Sequence, residues 1–318
     1  MNEISWDVAV IGGASAGLSA ALMLGRARRR VIVIDAAAPR NRFAAHMHGL
    51  LGHDGRPPAD LLADGRREVE SYGGRIITAT ATRTRRDGDG FAVETADGEV
   101  VRARKLLVTT GARDELPDLD GLAERWGRGV AVCPYCDGYE VRDQRIGILA
   151  TGPGSEFQAQ LLRQWSPSIS YLADAVGGPG GETRAAFDAR GIHVEEGPVR
   201  RVVSRNDRIA GVEMADGRLI ELDAIFTIPR LLPRDEPLRQ LGAERTEHPW
   251  GSFVTVDENG QTSIDGVWAA GNVVNAMANV AVSIGAGALA AGAINHALVL
   301  DDIRRAVSAV ASTPAEPE

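Results

Sequence analysis

The chain reads as an α/β protein built from two Rossmann-like domains, on three observations. An apolar strand, a glycine turn and a helix open it at WDVAVIGGASAG (6–17). The same order recurs at RIGILATGPGSEFQAQLLRQW (145–165), and a third strand and turn, TSIDGVWAAGN (262–272), lead into a Gly/Ala-rich helix from Ser283 onward. A length of 318 residues suits two domains with full cores.

Each element has its own justification. Val8 to Ile11 form an unbroken apolar run of the kind buried on both faces of a parallel sheet. Gly12 and Gly13 permit a tight turn, and LSAALMLGRAR continues as a helix. The fingerprint Gly-x-Gly-x-x-Gly falls on Gly12, Ala14 and Gly17, with Ala14 in place of the second glycine. Small residues through Ser15 and Ala16 still let backbone approach a pyrophosphate at a helix N-terminus. The next strand, VIVID, ends at Asp35, where a carboxylate suits a ribose hydroxyl. The first unit therefore predicts a dinucleotide site.

Composition narrows the partners. Hydrophobic content of 44% and charged content of 25% are ordinary for a globular protein. The 35 basic and 43 acidic side chains give −8, which argues against nucleic acid. The one basic cluster, Arg26 and Arg28 to Arg30, fits a helix C-terminus. The start, MNEISWDVAV, lacks the basic region of a signal peptide. The apolar stretch Val280 to Leu300 is rich in Gly and Ala and contains Asn295 and His296, so it is expected as a buried, closely packed helix and not a membrane span. These features predict a cytoplasmic protein, with a polar, disordered tail over 306–318.

The only two cysteines stand as Cys133-Pro134-Tyr135-Cys136. A Cys-x-x-Cys pair can close a labile, exchanging disulfide, form half of a zinc site, or be inert. Zinc needs two more ligands at matching spacing, and the nearest histidines, His46, His48 and His53, lie far upstream. A redox dithiol is the reading we carry forward, with no metal.

These segments, together with LLVTTGARDELP (106–117), CPYCDGYE (133–140) and GVWAAGNVV (266–274), resemble the low-molecular-weight thioredoxin reductase family of flavoproteins, over roughly residues 6 to 300. The resemblance implies two three-layer ββα nucleotide-binding domains. An FAD domain would occupy 1–115 and 231–305, and an NADPH-type domain carrying the cysteines would be inserted at 116–230. Hinges are expected at Leu116-Pro117 and in the stretch Pro229 to Pro233. It further implies FAD held by Gly12, Gly13, Ala14, Ser15, Ala16, Gly17 and Asp35. Arg40, Asn41, Gly111, Gly271, Asn272, Val280 and Ala281 complete that set, and the family is generally homodimeric.

The inserted domain departs from the pattern. Gly152 and Gly154 match, but Pro153 interrupts the turn and Phe157 is bulky where helix and strand should pack closely. The strand ISYLADA (169–175) lacks the basic cluster that grips a 2′-phosphate; Arg184 and Arg190 lie only downstream. In this the chain looks more like the flavin-dependent dithiol oxidases that close disulfides in natural products such as gliotoxin and holomycin. Cys-Pro-Tyr-Cys, PRNRFAAHMHGLLGHDG (39–55) and Ala270-Gly271-Asn272 point the same way.

The resemblance implies that a small-molecule dithiol is oxidised through Cys133, the exchanging sulfur, and Cys136, on the flavin side, with O2 as final acceptor. Asp137 is the expected general acid/base, or else a helix N-cap; those oxidases tend to have His there, and Asp matches the reductases. His46 and His48 are alternatives for proton transfer, with a surface or packing role as their plainer fate. A disulfide reductase fed by NADPH or ferredoxin, and a non-catalytic redox-sensing flavoprotein, are the competing readings.

Overall fold

The computed structural model describes residues 6–152, 154–248 and 250–311. Two compact units emerge: one of residues 1–40, 59–113 and 231–318, the other of 41–58 and 114–230. The chain thus crosses between units at four points. The segment 41–58, expected with the first domain, packs instead with the second, where His48 meets Glu140 and a Cβ on Gly127 would strike the backbone of Phe43.

The first unit begins with β1 (Trp6–Ile11), α1 (Ser15–Arg26) and β2 (Val31–Asp35). It continues with α2 (Pro58–Ser71), β3 (Arg75–Thr78), β4 (Ala81–Asp87), β5 (Gly90–Thr95) and β6 (Val100–Val108). The strand order is β3-β2-β1-β6-β5-β4. β6 is nine residues long: one edge pairs parallel with β1, and the other serves two neighbours, antiparallel β5 in its first half and, in its second half, a late parallel strand, Val267–Ala269. A parallel Rossmann sheet and an antiparallel ribbon thereby share one strand.

β7 (Ala112–Glu115) carries the chain out. The second unit holds β8 (Val130–Ala131), α3 (Pro134–Asp137), β9 (Ile146–Leu149), α4 (Gly154–Leu162), β10 (Ile169–Leu172), α5 (Gly181–Arg190) and β11 (Ile192–Glu195). An antiparallel trio follows, β12 (Val199–Arg205), β13 (Arg208–Met214) and β14 (Leu219–Glu221), then β15 (Ala224–Thr227). The all-parallel order β11-β10-β9-β15-β8 repeats the Rossmann plan. Return is by β16 (Arg230–Pro233), paired with β7.

The last segment adds α6 (Glu236–Gln240), the hairpin β17 (Arg245–His248) and β18 (Gly251–Val254), the late strand β19 (Val267–Ala269), and α7 (Val280–Ala311). α7 begins at the first residue of the Val280 to Leu300 stretch expected as a packed helix. Asn279 caps it, its side-chain oxygen accepting the Val282 N–H at 2.9 Å. The helix also runs through 306–311, so that part of the expected disordered tail is ordered; 312–318 lie outside the described residues.

By length and composition α7 is apolar enough to cross a membrane. Its packing accounts for part of that character: Gly287 is buried, and Ala290, Ala291, Ile294 and Leu298 share a core cluster with α1. Burial is one-sided, though, and Leu289 on the outer face is 52% exposed. Ion pairs fix its distal half. Arg29 Nη1 meets Asp302 at 2.7 Å, Arg104 Nη2 meets Asp302 at 2.6 Å, and Lys105 Nζ meets Asp301 at 2.9 Å. Arg29 is thus a tether as well as part of a basic helix end.

Arg104 is only 9% exposed and also faces Asp7 at 3.3 Å. Arg104→Ala leaves these carboxylates without their shared cation and is expected to lower unfolding stability by about 3 kcal/mol, measured by urea titration of the holoprotein.

Candidate active site

The turn after β1 brings backbone groups together with no side chain between them. Gly12 has φ +107°, and a Cβ there would lie 2.4 Å from the Thr109 carbonyl oxygen. A Cβ on Gly17 would lie 1.9 Å from the Gly12 oxygen. Thr109 locks the arrangement: its hydroxyl donates to the carbonyls of Gly12 at 2.8 Å and Ile11 at 3.1 Å. The first turn of α1, at Ser15, Ala16 and Gly17, then presents N–H groups that have no intrahelical acceptor.

α7 supplies a second helix start beside it. A Cβ on Gly287 would fall 2.1 Å from the Ala16 oxygen, and one on Gly271 3.3 Å from the Ala16 Cβ. Ser19 donates to the Ile284 carbonyl at 2.8 Å. Val280 and Ala281 occupy the first turn of α7, so their N–H groups are open as well. Gly111, at φ +69°, has nothing within 4 Å of where a Cβ would stand. Two helix starts with open N–H groups and a glycine-lined surface fit a dinucleotide diphosphate and its appended ring.

Two expected ligands are already engaged. Asp35, placed by the sequence at a ribose, accepts the Gly13 N–H at 3.1 Å and pairs with Arg66 of α2. Asn272 donates to the carbonyls of Asn275 at 3.0 Å and Ala278 at 2.9 Å, and accepts from Arg40 at 3.4 Å. An aspartate could not donate those bonds, which gives Ala-Gly-Asn a local reason. Asn41 falls in the other unit.

In the second unit Cys133 and Cys136 are joined as a disulfide, their Cα atoms 5.2 Å apart. Pro134 at the first helical position favours α3, and the Cys133 carbonyl accepts the N–H groups of Cys136 and Asp137, each at 3.1 Å. Cys133 is therefore the N-cap; Asp137, considered for that role, ends the helix instead. The turn sits on α4 and the residues after it. Gln158 donates to the Val132 carbonyl at 2.7 Å, Tyr135 meets Trp165 edge-on with ring centres 5.9 Å apart, and a Cβ on Gly138 would crowd that indole at 3.0 Å.

Burial holds the Asp137 carboxyl well above its usual range, at about 6, helped by the negative charge of Glu140 and opposed by His48. His48 Nε2 lies 3.5 Å from Glu140, and its Nδ1 3.5 Å from Asp54. His46 is exposed and pairs with the Gly55 carbonyl at 3.0 Å. Among the described residues no cluster of three or more His, Cys, Asp or Glu side chains is placed to hold a metal ion.

Residues 6–165 and 171–287 match the model of the pyridine nucleotide-disulphide oxidoreductases. The chain belongs to that family. It is a flavin-dependent oxidoreductase acting on sulfur groups, of the thioredoxin reductase-like kind. A curated relative is the thioredoxin reductase tcpT of Claviceps purpurea, 29% identical across 93% of this chain and 95% of its own. Among solved structures, HlmI superposes with a TM-score of 0.93 at 44% identity, covering 99% of both chains. An oxidoreductase from Agrobacterium tumefaciens follows at 0.88 and 37%, covering 93% of this chain and 99% of its own.

In the second nucleotide turn of this family the chain commits some polar groups to its own backbone, while space at Gly152 stays open. Ser155 Oγ accepts the Thr151 N–H at 3.0 Å, and Thr151 donates to the Ile228 carbonyl at 2.7 Å. Phe157 does not wedge between helix and strand as its bulk suggests; it points outward, 70% exposed, while Ser155, Gln158 and Ala159 face inward. Past β10, Asp174 accepts the Val199 N–H at 2.8 Å. Arg184 is paired with Glu196 and Asp188, and Arg190 with Gln160. Pro153 lies outside the described residues.

Sequence reasoning missed Thr109, Arg66, Gln158 and Glu140. Glu140 was readable in principle, standing three residues after Asp137 in a segment already singled out.

Gly17→Ala should abolish flavin retention, since its methyl would meet backbone; the yellow absorbance of the purified variant reports this directly. Asp137 carries a second expectation. Its pKa of about 6 exceeds the ordinary 3.8, so the stability this group contributes is full below roughly pH 4 and lost as pH rises through 6. Asp137→Asn is therefore expected to be more stable than the parent at pH 8, by on the order of 1–2 kcal/mol in urea unfolding.

Proposed function

We propose that the protein is an FAD-dependent dithiol oxidase that closes a disulfide in a small-molecule dithiol, with O2 as final acceptor and hydrogen peroxide as by-product. The observation that carries this reading is how the second unit's turn and its nearby cations are committed within the chain: the Thr151 N–H is given to Ser155, Arg184 is paired with Glu196 and Arg190 with Gln160, which supports a source of electrons other than a pyridine nucleotide. Electrons then enter as substrate thiols.

The chain's residues divide the work as follows. A substrate thiolate attacks the Cys133 sulfur, the Cys133–Cys136 bond breaks, and Cys136 leaves as a thiolate. The second substrate thiol attacks the sulfur bound to Cys133, forming the product disulfide and releasing Cys133. Asp137, next to the pair and poised near pH 6, takes the protons of the incoming thiols. Bound FAD supplies the two-electron acceptor that O2 regenerates. Gly12, Gly13, Ala14, Ser15, Ala16 and Gly17 are the residues for its diphosphate, with Gly111, Gly271, Val280 and Ala281 along the rest. We take Asp35 and Asn272 as shaping that cradle through Gly13 and the 275–278 loop. The reading includes a homodimer in the cytoplasm.

Asp137 favours a second reading, a disulfide reductase driven by NADPH or ferredoxin, because ordinary reductases carry Asp at this position. Rapid anaerobic bleaching of the flavin by NADPH would establish it over the first.

The primary test is aerobic incubation of the purified holoprotein with small dithiols, without NADPH. Peroxide and product disulfide are expected in equal amounts. Cys133→Ser should retain flavin and lose turnover; undiminished oxidation in that variant would sink the scheme. Turnover should rise with pH through about 6, and Asp137→Asn should lose that step.

A further inference from the structure

His48 is a titratable group of the second unit that the chemistry above leaves unused. It stands on a loop closed by backbone pairing: Met47 donates to Arg56, and Gly55 to Met47, each at 2.9 Å. Gly49, Gly52 and Gly55 all take positive φ, so the chain turns sharply three times within seven residues. Asp54 pins the interior by accepting the Gly49 N–H at 2.8 Å. The result is a rigid mount for one imidazole, 23% exposed, reaching Glu140 in the turn after α3.

The ring has a carboxylate oxygen 3.5 Å from each nitrogen, Asp54 on Nδ1 and Glu140 on Nε2. The two carboxylates hold the ring from both of its nitrogens. Of the other charged groups nearby, Arg56 is turned to His53 at 3.3 Å, and Arg142 stacks on Tyr139 and donates to its carbonyl at 2.9 Å. Glu140 stands in the turn three residues after Asp137, where its charge opposes the Asp137 anion, and His48, 3.5 Å from Glu140, favours that anion.

We propose that His48 is a positioning residue for Asp137. Mounted between Asp54 and Glu140, it offsets the Glu140 charge and sets the pH at which the carboxyl beside the cysteine pair gives up its proton. No proton needs to pass through His48 itself. The inference rests on Asp137 acting in the dithiol chemistry proposed above, but its physical content, a charge triad around one carboxyl, can be read without turnover.

The experiment is a pH titration of the resting, oxidised holoprotein labelled with carbon-13 at the aspartate carboxyls, the Asp137 signal being assigned by its disappearance in Asp137→Asn. His48→Gln should move the Asp137 midpoint upward, and Glu140→Gln downward, each by about half a pH unit or more, roughly a threefold change in the protonation equilibrium. His48→Lys should bring the midpoint back toward the parent. The acid limb of dithiol turnover should shift in the same directions. A midpoint unmoved by both Gln substitutions, or moved the same way by both as simple loosening of the loop would do, overturns the proposal. Shifted midpoints without peroxide from any dithiol would instead sink the oxidase reading and leave this assignment standing. Peroxide production with fixed midpoints would do the reverse.

Discussion

In the first unit everything depends on backbone touching backbone. Gly12, Gly17 and Gly287 each stand where a methyl group would strike a carbonyl. With the side chains absent, α1 and α7 approach closely enough for their first turns to share one surface, and the Thr109 hydroxyl holds the turn from beneath. The sheet order follows from this contact. β1 and β6 must lie adjacent to bring Thr109 under Gly12, and β19 must extend β6 to deliver Gly271 against Ala16. The helix dipoles and open N–H groups exploited by an anionic cofactor are consequences of that packing.

How much of this was legible in the sequence depended on the range of the interaction. β1, α1 and β2 could be read because their signals are local: an apolar run, a glycine turn, an acid at a strand end. The cysteine pair was legible for the same reason. The helix from Val280 was legible as an apolar, Gly/Ala-rich run, whereas the Asn279 cap before it was not. The expected tail is partly helix since Arg104, Lys105 and Arg29, hundreds of residues away in sequence, hold Asp301 and Asp302. The segment 41–58 was assigned by its neighbours in the chain, yet its partners are Glu140 and the backbone around Gly127. Asp35 and Asn272 were expected as cofactor ligands, and no local pattern discloses that Gly13, Arg66 and the 275–278 carbonyls engage them.

The second unit shows a different economy. Its sheet repeats the first unit's plan, but polar groups that would meet a nucleotide are spent internally, on Ser155, Asp174 and Glu196. At the cysteine turn, burial raises the Asp137 carboxyl to about 6, at a cost to folding above that pH.

Gln158 joins these two halves of the story. It lies on α4, the helix that a bound nucleotide would address, and its amide holds the Val132 carbonyl immediately before Cys133. Any substitution path that rebuilt a phosphate turn at 151–155 would have to reseat α4, and in doing so would release the strut under the cysteines. A change in the turn at 151–155 is therefore felt at the cysteine pair, because one helix braces both.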